Sequence, residues 1–536
     1  MPDYDTTQAG GQTSGSGRVQ LGVDSVSNSF IDDELTSSPD EESLLLDNRD
    51  EEGQPVEVVA PESLRRLVIS LSIVMLLLLN LNGTVSLAPL QMIMEDIICR
   101  KYYPENILSI PGNRDELCKT ANVQKTLAMV RSWVGFSDLL TSLFVQIPYG
   151  VIADKYGRRP VLMLALIGGL LNQSLTLLIL FFPSVFSIWC LLFPSLLHLV
   201  GGSVLIANAV IYTLITDITL PAERGIVFSR ITAVVLLSNL MDQPMAASLM
   251  KVNPWIPMWM AYGAQAVAAT AAVFVPETIQ LRRRADKQHR AEEPLSDDED
   301  SNKKDHRQLI QQVWAVVKND VTHVWSFIIG SKDIMLFVFA FAVCTSFRAS
   351  HIANLLQYIT LKFNWEWSTA AYVYTISDVT SITVFLLLLP LLSNLLANRF
   401  GFEPLRRDLL LARTSVIILS VGSLMAAAAS VPWTFIGSLV IGSLGEGYSP
   451  LFRAVLNSVV EPHTIATLNT VISTANTLVG MVATPAFGWL LSKGIEIGGS
   501  GTGLPYFVAC VWGVIALVAM SVFRIPTRVT HRQHEA

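Results

Sequence analysis

The sequence predicts an all-α membrane protein with twelve transmembrane helices, six on either side of a polar segment. The chain of 536 residues is 51% hydrophobic and only 15% charged, and its mean hydropathy of +0.47 is too high for a soluble protein of this length. Residues 67–98 alone exceed the roughly 20 apolar residues that a helix needs to cross a bilayer. The apolar segments divide into six and six around residues 277–332.

We number the twelve apolar segments as spans 1 to 12 in chain order. A backbone inside hydrocarbon must satisfy its own hydrogen bonds, so each segment is expected to be a helix. The spans lie at residues 67–97, 126–149, 160–183, 186–216, 226–250, 255–275, 334–361, 368–393, 409–430, 434–457, 466–492 and 504–524.

The remaining segments are polar. Residues 1–62 are rich in Ser, Gly, Asp and Glu and lack apolar periodicity, which indicates a disordered acidic cytosolic tail. Residues 277–332 are dense in charge and read as a cytosolic linker between two halves, 63–276 and 333–526. Residues 527–536 form a second cytosolic tail. No basic domain is present, so nucleic acid is not an expected partner.

Lys and Arg in the short loops give the orientation, because cytosolic loops carry an excess of these residues. With both chain ends in the cytosol, most of these residues fall on the cytosolic side. The main exception is the loop 99–125, where several cations are partly balanced by acids. The cytosolic Lys and Arg are Arg65, Arg66, Lys155, Arg158, Arg159, Arg224, Arg230, Arg282, Arg283, Arg284, Arg399, Arg406, Arg407, Arg524 and Arg528.

The loop between spans 2 and 3 carries a charged motif with two glycines. Its sequence resembles the loop G-x-x-x-D-x-x-G-R-[RK] of the major facilitator superfamily, and it matches at Gly150, Asp154, Gly157, Arg158 and Arg159. The resemblance implies a conformational latch that holds the two halves of the transporter together in one state. The alternative, an ordinary positively charged turn, requires neither the aspartate nor the glycines.

Two further motifs follow in the order that the same family shows. Residues 217–225, after span 4, resemble its D-x-x-P-x-E-R-G loop, and residues 275–278 resemble its P-E-[TS] ending of span 6. The resemblance covers residues 65–526 and implies two six-helix bundles that work by alternating access. The chain looks eukaryotic and fungal, with a looser likeness to the proton-coupled folate/haem carrier branch. The glycine motif of drug–proton antiporters is missing at residues 239–248.

Polar residues inside the spans are candidates for the solute path, because ionisable groups in a membrane are costly and each needs a reason. The resemblance implies that spans 1, 4, 7 and 10 line a central cavity. The candidates for the substrate and proton pathway are Asn82, His198, Arg348, His351, Glu446 and Arg453. Asp242 in span 5 and Asp378 in span 8 are further candidates for a proton site.

The chemistry of these groups suggests roles. A buried Arg348 would attract an anionic or zwitterionic solute, Glu446 is the leading proton carrier, and His351 is the second, since histidine titrates near neutrality. Three structural alternatives stay open. His351 could be a hydrogen-bonded helix contact. Glu446 lies seven residues before Arg453 and could form a static pair with it, and Asp378 could pair with a neighbouring arginine.

Cys99 and Cys118 flank the polar loop after span 1 and can form a disulfide if that loop faces an oxidising compartment; free thiols are the alternative. No metal-ligand spacing, nucleophile–base pair or phosphate loop is visible, so no metal, cofactor or enzyme activity is expected. We expect the partners to be the lipid bilayer, a small organic solute and protons.

The acidic tail contains the pattern [DE]-x-x-x-L-[LI] at residues 40–46, which resembles a sorting address read by an adaptor at Leu44 and Leu45. A chance match in an acidic tail is the alternative. The predicted function is therefore a proton-coupled secondary transporter in a vacuolar or plasma membrane. The competing class is a transporter-like receptor or sensor, which the lack of a folded signalling domain in the tail disfavours.

Overall fold

The computed structural model describes residues 61–103, 113–219, 223–278, 332–459 and 465–522. All regular structure in these ranges is helical. The acidic tail with Leu44 and Leu45, nearly all of the linker, and the final tail lie outside the described residues. We call residues 61–278 the first half and residues 332–522 the second half.

In the first half, a short helix, Asn113–Cys118, lies between spans 1 and 2. Spans 1, 2, 3, 5 and 6 are the helices Glu62–Tyr102, Ala121–Tyr156, Arg158–Phe181, Arg224–Val252 and Trp255–Ala271. In the second half, spans 7, 9, 11 and 12 are the helices Lys332–Lys362, Pro404–Ala428, Ile465–Ile497 and Leu504–Val522. Spans 8 and 10 are each interrupted, as Trp367–Thr383 with Leu389–Phe400, and Pro432–Leu444 with Tyr448–Val459.

Eight helical stretches among the described residues are long and apolar enough to cross a membrane. They correspond to predicted spans 1, 3, 4, 7, 8, 9, 11 and 12. The other four predicted spans are helical as well. Spans 2 and 5 are long but carry more polar residues, and span 6 is a helix of 17 residues. Span 10 is divided into helices of 13 and 12 residues.

Span 4 departs from the single helix that its hydropathy predicts. It begins with two 3₁₀ turns, Ile188–Leu192 and Pro194–Leu197, continues as the short helix His198–Gly201, and becomes regular only over Val204–Ile218. Pro194 lacks the amide hydrogen that a regular helix needs, and Gly202 has a φ of +83°, which favours glycine and ends the short helix. The hydropathy window detects none of these local effects.

The apolar core joins the two halves at the end that the charge pattern predicts to be non-cytosolic. One cluster of buried residues there contains both Ile98 of span 1 and Tyr358 of span 7. Toward the cytosol the core divides into two separate clusters. One lies within the first half around Leu162 and Ile211, and the other lies within the second half around Phe337 and Phe452. The two halves therefore share a common apolar core on one side of the membrane.

Candidate functional site

A cavity of about 310 Å³ lies between the two halves. The first half contributes residues of spans 1 and 5, and the second half contributes residues of spans 7, 8 and 10. Its charged lining consists of Arg348, Asp378 and Glu446. The uncharged lining is Gly83, Thr84, Leu87, Leu236, Asn239, Gln243, Ile352, Leu355, Tyr374, Ser377, Ser381, Ile382, Phe385 and Leu439.

Arg348 and Glu446 form an ion pair in the wall of this cavity. The Nε atom of Arg348 donates to Oε1 of Glu446 at 3.0 Å, and Nη2 donates to the same oxygen. Nη2 also lies 3.4 Å from the hydroxyls of Ser377 and Ser443. The buried guanidinium is thereby neutralised within the second half. The 3₁₀ turn Gly445–Gly447 interrupts span 10 at this point and places Glu446 there.

The pairing of Glu446 with Arg453 that spacing allowed is wrong. Arg453 is exposed, and its guanidinium lies 6.0 Å from the ring centroid of Phe341. The ion pair neutralises Arg348, the residue on which the prediction of an anionic or zwitterionic solute is based.

Asp378 lines the cavity without a hydrogen-bond partner among the described residues. It is half-buried, and it is close enough to Arg348 and Glu446 to interact with both electrostatically. The arginine beside it is held by Glu446. The static arginine pair considered for Asp378 is therefore not formed.

Asp242 of span 5 lies behind the opposite wall and is only 5% exposed. Its Oδ2 atom accepts hydrogen bonds from Ser238 at 2.7 Å, from Asn80 at 3.2 Å and from Thr84 at 3.3 Å. Within the described ranges, no basic side chain forms an ion pair with Asp242. Thr84 lines the cavity, so the Asp242 carboxylate is one residue removed from it.

Besides Arg453, three predicted pathway residues are not part of the cavity lining. Asn82 donates to Gln173 at 2.8 Å and to Gln265 at 3.1 Å, which ties span 1 to spans 3 and 6. His198 lies in the broken part of span 4, with Nδ1 3.1 Å from the carbonyl oxygen of Gly202. These contacts give both residues a structural role in the first half.

The third of these residues, His351, is packed among aromatic side chains. Its ring lies 4.4 Å from that of Tyr506, and its Nε2 atom has no hydrogen-bond partner within the described part of the chain. The side chain is 4% exposed. Although it follows Arg348 by three residues, it does not line the central cavity.

A hydrogen-bonded cluster, which we call the outer seal, lies toward the side of the membrane that the charge pattern predicts to be non-cytosolic. Its centre is the buried carboxylate of Glu95 in span 1. Lys119 donates to Glu95 at 2.9 Å, and Gln124 and the indole N–H of Trp367 donate to it as well. Gln357 of span 7 donates to the backbone oxygen of Gln124 at 2.7 Å. Because Trp367 and Gln357 belong to the second half, the seal joins both halves.

Arg131 of span 2 extends the outer seal. Its guanidinium donates to the carbonyl oxygen of Ala353 at 2.6 Å, to Gln91 at 3.2 Å and to the side chain of Asn354. Sequence reasoning missed this role and that of Glu95. The presence of an arginine inside a span was the available signal, but its partners in the second half are more than 200 residues away in the chain.

The Cys99–Cys118 disulfide is formed in the structure, with the two Cα atoms 5.1 Å apart. It adjoins the outer seal directly. The backbone oxygen of Cys118 accepts a hydrogen bond from Gln124 at 2.9 Å, and Lys119 is the next residue. The bridge therefore fixes the segment that supplies two donors to Glu95.

We expect both cysteines to be oxidised in the mature protein. Peptide mass spectrometry after alkylation under native conditions should find a cross-linked 99–118 pair, because the bridge closes a loop whose constraint on the unfolded chain is worth about 3 kcal/mol in the chain-entropy account. Alkylated Cys99 and Cys118 would contradict this. Cys190, with no disulfide partner, serves as the internal control for complete alkylation.

The motif loop between spans 2 and 3 is tied to the ends of spans 4 and 6 that are predicted to be cytosolic. Glu277 accepts hydrogen bonds from the backbone N–H groups of Arg158 at 2.9 Å and of Arg159 at 3.1 Å. The Arg158 guanidinium lies 3.5 Å from the carboxylate of Asp217, and both side chains are 5% exposed. The three motifs found in the sequence thus converge at one place.

The other residues of the motif loop differ in backbone conformation and in the contacts they make. Gly157 has a φ of +117°, and Arg159 donates to the carbonyl oxygen of Val273 at 2.6 Å. Gly150 is helical and has open space where a Cβ would stand. The side chain of Asp154 lies outside the described part. These contacts of the motif loop all lie within the first half.

Comparison with known proteins decides the family. The chain matches the sequence profile of the Major Facilitator Superfamily over residues 71–484. The protein belongs to this superfamily. It is therefore a multi-pass membrane transporter rather than an enzyme, and it acts within a lipid bilayer on small solutes.

Its relatives are fungal. The MFS efflux pump atnC of Emericella nidulans is 27% identical over 441 residues, which covers 81% of this chain and 83% of the relative. The efflux pump ustT of Aspergillus flavus is 27% identical over 458 residues, or 84% and 86% of the two chains. The looser likeness to the folate/haem carrier branch finds no support in these relatives.

Solved structures share the fold. A D-xylose–proton symporter superposes with a TM-score of 0.56 at 12% identity, covering 87% of this chain and 99% of the other. The nucleoside transporter NupG gives a TM-score of 0.52 at 14% identity, over 86% of this chain and 98% of the other. The predicted all-α membrane fold is confirmed by these superpositions.

Proposed function

We propose that this protein moves a small organic solute out of the cytosol by alternating access, with coupling to protons. The observation that carries the proposal is the cavity between the two halves, whose wall contains an ion pair of one arginine and one carboxylate. A solute site at the interface of two structural repeats is where alternating access operates, because rocking of the halves exposes it to either side in turn.

The arrangement of the halves supports a cavity that is reached from the cytosol. The outer seal and a continuous apolar core close the non-cytosolic side, whereas the cores of the two halves are separate toward the cytosol. Two fungal relatives are named efflux pumps. Both points favour loading from the cytosol and release on the other side.

The proposed membrane is vacuolar or plasma membrane, and the address at Leu44 and Leu45 would select the internal one through a sorting adaptor. We further propose that the halves 63–276 and 333–526 act as the two moving bodies. In this scheme the latch residues Gly150, Asp154, Gly157, Arg158 and Arg159 control the cycle at the cytosolic ends rather than contacting solute.

Glu446→Gln is expected to abolish dependence of transport on the proton gradient while sparing exchange of solute. Glutamine keeps a polar group beside Arg348 but removes the site that takes up a proton and the charge that holds the guanidinium. The measurement compares net uptake driven by a pH gradient with solute-for-solute exchange in proteoliposomes. The solute is first identified by metabolite profiling of vesicles with and without the protein.

The matched control is Glu403→Gln, which removes an equal charge at the start of span 9, where Glu403 pairs only with Arg406 among the described residues. This control should keep gradient-driven uptake. If Glu446→Gln still concentrates solute at the expense of the gradient, the proton site lies elsewhere, and Asp378 and Asp242 are the next carboxylates to test. A profile that shows no difference between the two vesicle preparations would contradict the transport proposal itself.

A further inference from the structure

The charges around the central cavity do not balance. Three ionisable side chains line it, and one base stands against two acids: Arg348 against Glu446 and Asp378. The Arg348 guanidinium is already paired with the carboxylate of Glu446 at hydrogen-bonding distance. Asp378 is left facing the cavity, with no basic partner of its own in the described ranges.

A second acidic group strengthens the same bias from the opposite wall. Asp242 is held by three uncharged donors, Ser238, Asn80 and Thr84. Hydrogen bonds from neutral donors stabilise a carboxylate without cancelling its charge. The cavity therefore lies between two acidic side chains, one from each half, while its one arginine is neutralised.

We infer that the solute carried by this protein is an organic cation, a protonated amine or a quaternary ammonium group on an apolar body, and that Asp378 is its counter-ion. The inference rests on the transport function proposed above and names the substrate class for the same cavity.

The remaining lining suits such a solute. Tyr374 and Phe385 line the same cavity as Asp378, and the faces of aromatic rings attract ammonium groups by about 0.5–2 kcal/mol. Ile352, Leu355 and Leu439 supply apolar surface for the rest of the molecule. A negatively charged solute would instead meet Asp378 and Glu446 at close range, where like charges repel most strongly when water is excluded.

The test compares three water-soluble probes that share one benzyl or phenyl ring: benzyltrimethylammonium as cation, benzyl alcohol as neutral probe and benzoate as anion. Binding to the full-length protein in lipid nanodiscs is measured by the rise in its thermal unfolding midpoint with probe concentration. We expect the cation to bind at least tenfold more tightly than either other probe. Asp378→Asn should reduce that affinity to the level of benzyl alcohol.

Glu62→Gln is the matched control, because it removes one carboxylate charge from an exposed position at the start of span 1. It should leave the order of the three affinities unchanged. Equal affinities for cation and neutral probe, no measurable binding of the cation, or a preference for benzoate would overturn the inference. An unchanged cation affinity in Asp378→Asn would overturn the assignment to that residue.

This result is separable from the transport proposal. A protein that prefers the cation but shows no gradient-driven flux in proteoliposomes would retain the charge inference and lose the proposed function. A protein that moves solutes against a gradient without preferring the cation would do the reverse.

Discussion

Glu95→Ala is expected to open the non-cytosolic side of the cavity. The change removes a shared acceptor from three donors: the Lys119 ammonium, the Trp367 indole N–H and the Gln124 amide, which keeps only its bond to the Cys118 carbonyl. All three lie in a buried or part-buried setting, where an unpaired polar group costs about 1–3 kcal/mol. The penalty falls on the sealed state alone, because an open seal exposes these groups to water.

A cysteine reporter in the cavity measures the effect. The reporter is Ile382→Cys, because Ile382 lines the cavity. It is introduced in a background without the free thiols Cys190, Cys344 and Cys510. A membrane-impermeant thiol reagent is applied from the non-cytosolic side of reconstituted vesicles. A destabilisation of about 1.4 kcal/mol or more shifts the equilibrium about tenfold, so Glu95→Ala should label at least about ten times faster than its parent.

Trp367→Phe tests the same contact from the other half. Phenylalanine keeps an aromatic ring but lacks the N–H, so labelling should also be faster, by a smaller factor. Combined with Glu95→Ala it should add little, because both changes remove one shared interaction.

Glu366→Ala is the matched control for the seal. This carboxylate stands beside Trp367 in the chain but is exposed and contacts only nearby Ser368 among the residues described. Its labelling rate should equal that of the parent. Equal rates for Glu95→Ala and the parent would show that the outer seal does not hold the closed state.

Hydropathy was sufficient for the helices, because crossing a bilayer imposes a length and an apolar composition on each span. The structure has helices in all twelve predicted places. The irregular parts could be anticipated only where a residue type signals them. Gly445 and Gly447 are such residues, and they lie in the interruption of span 10, whereas the 3₁₀ start of span 4 depends on packing as well.

Close packing at Gly201 illustrates that dependence. A Cβ on Gly201 would collide with the backbone of Gly168 in span 3. The approach of two backbones depends on the tertiary structure, and one sequence without its partner cannot reveal it. The sequence shows a glycine at position 201, but it does not show that Gly168 lies against it.

The partners of charged residues were the least predictable part. Spacing along one helix places Glu446 and Arg453 on a common face, but the observed partner of Glu446 is Arg348, 98 residues earlier. Trp367 and Glu95 are separated by 272 residues. Helical periodicity reports neighbours three, four or seven residues apart. Helical periodicity cannot predict contacts between the two halves of a transporter.

The two glycines of the motif loop are expected to respond differently to the same substitution. Gly157 has a φ of +117°, a conformation that costs a residue with a Cβ about 1–3 kcal/mol. The added Cβ would also collide with the carboxylate of Glu277. That carboxylate accepts the first two N–H groups of span 3 and lies at the positive end of its helix dipole. Gly157→Ala should therefore lower the thermal unfolding midpoint and transport together.

Gly150→Ala supplies the matched control within the same motif. The residue lies inside the helix Ala121–Tyr156, and an added Cβ meets nothing within 4 Å. Alanine in a helix interior is favoured over glycine by about 0.5–1 kcal/mol, so the unfolding midpoint should stay or rise. Both variants are measured by thermal unfolding of purified protein and by uptake in proteoliposomes. If both substitutions were equally harmful, the motif would require its glycines for motion during the cycle. If Gly157→Ala were as stable as the parent, the strain at the start of span 3 would not limit this loop.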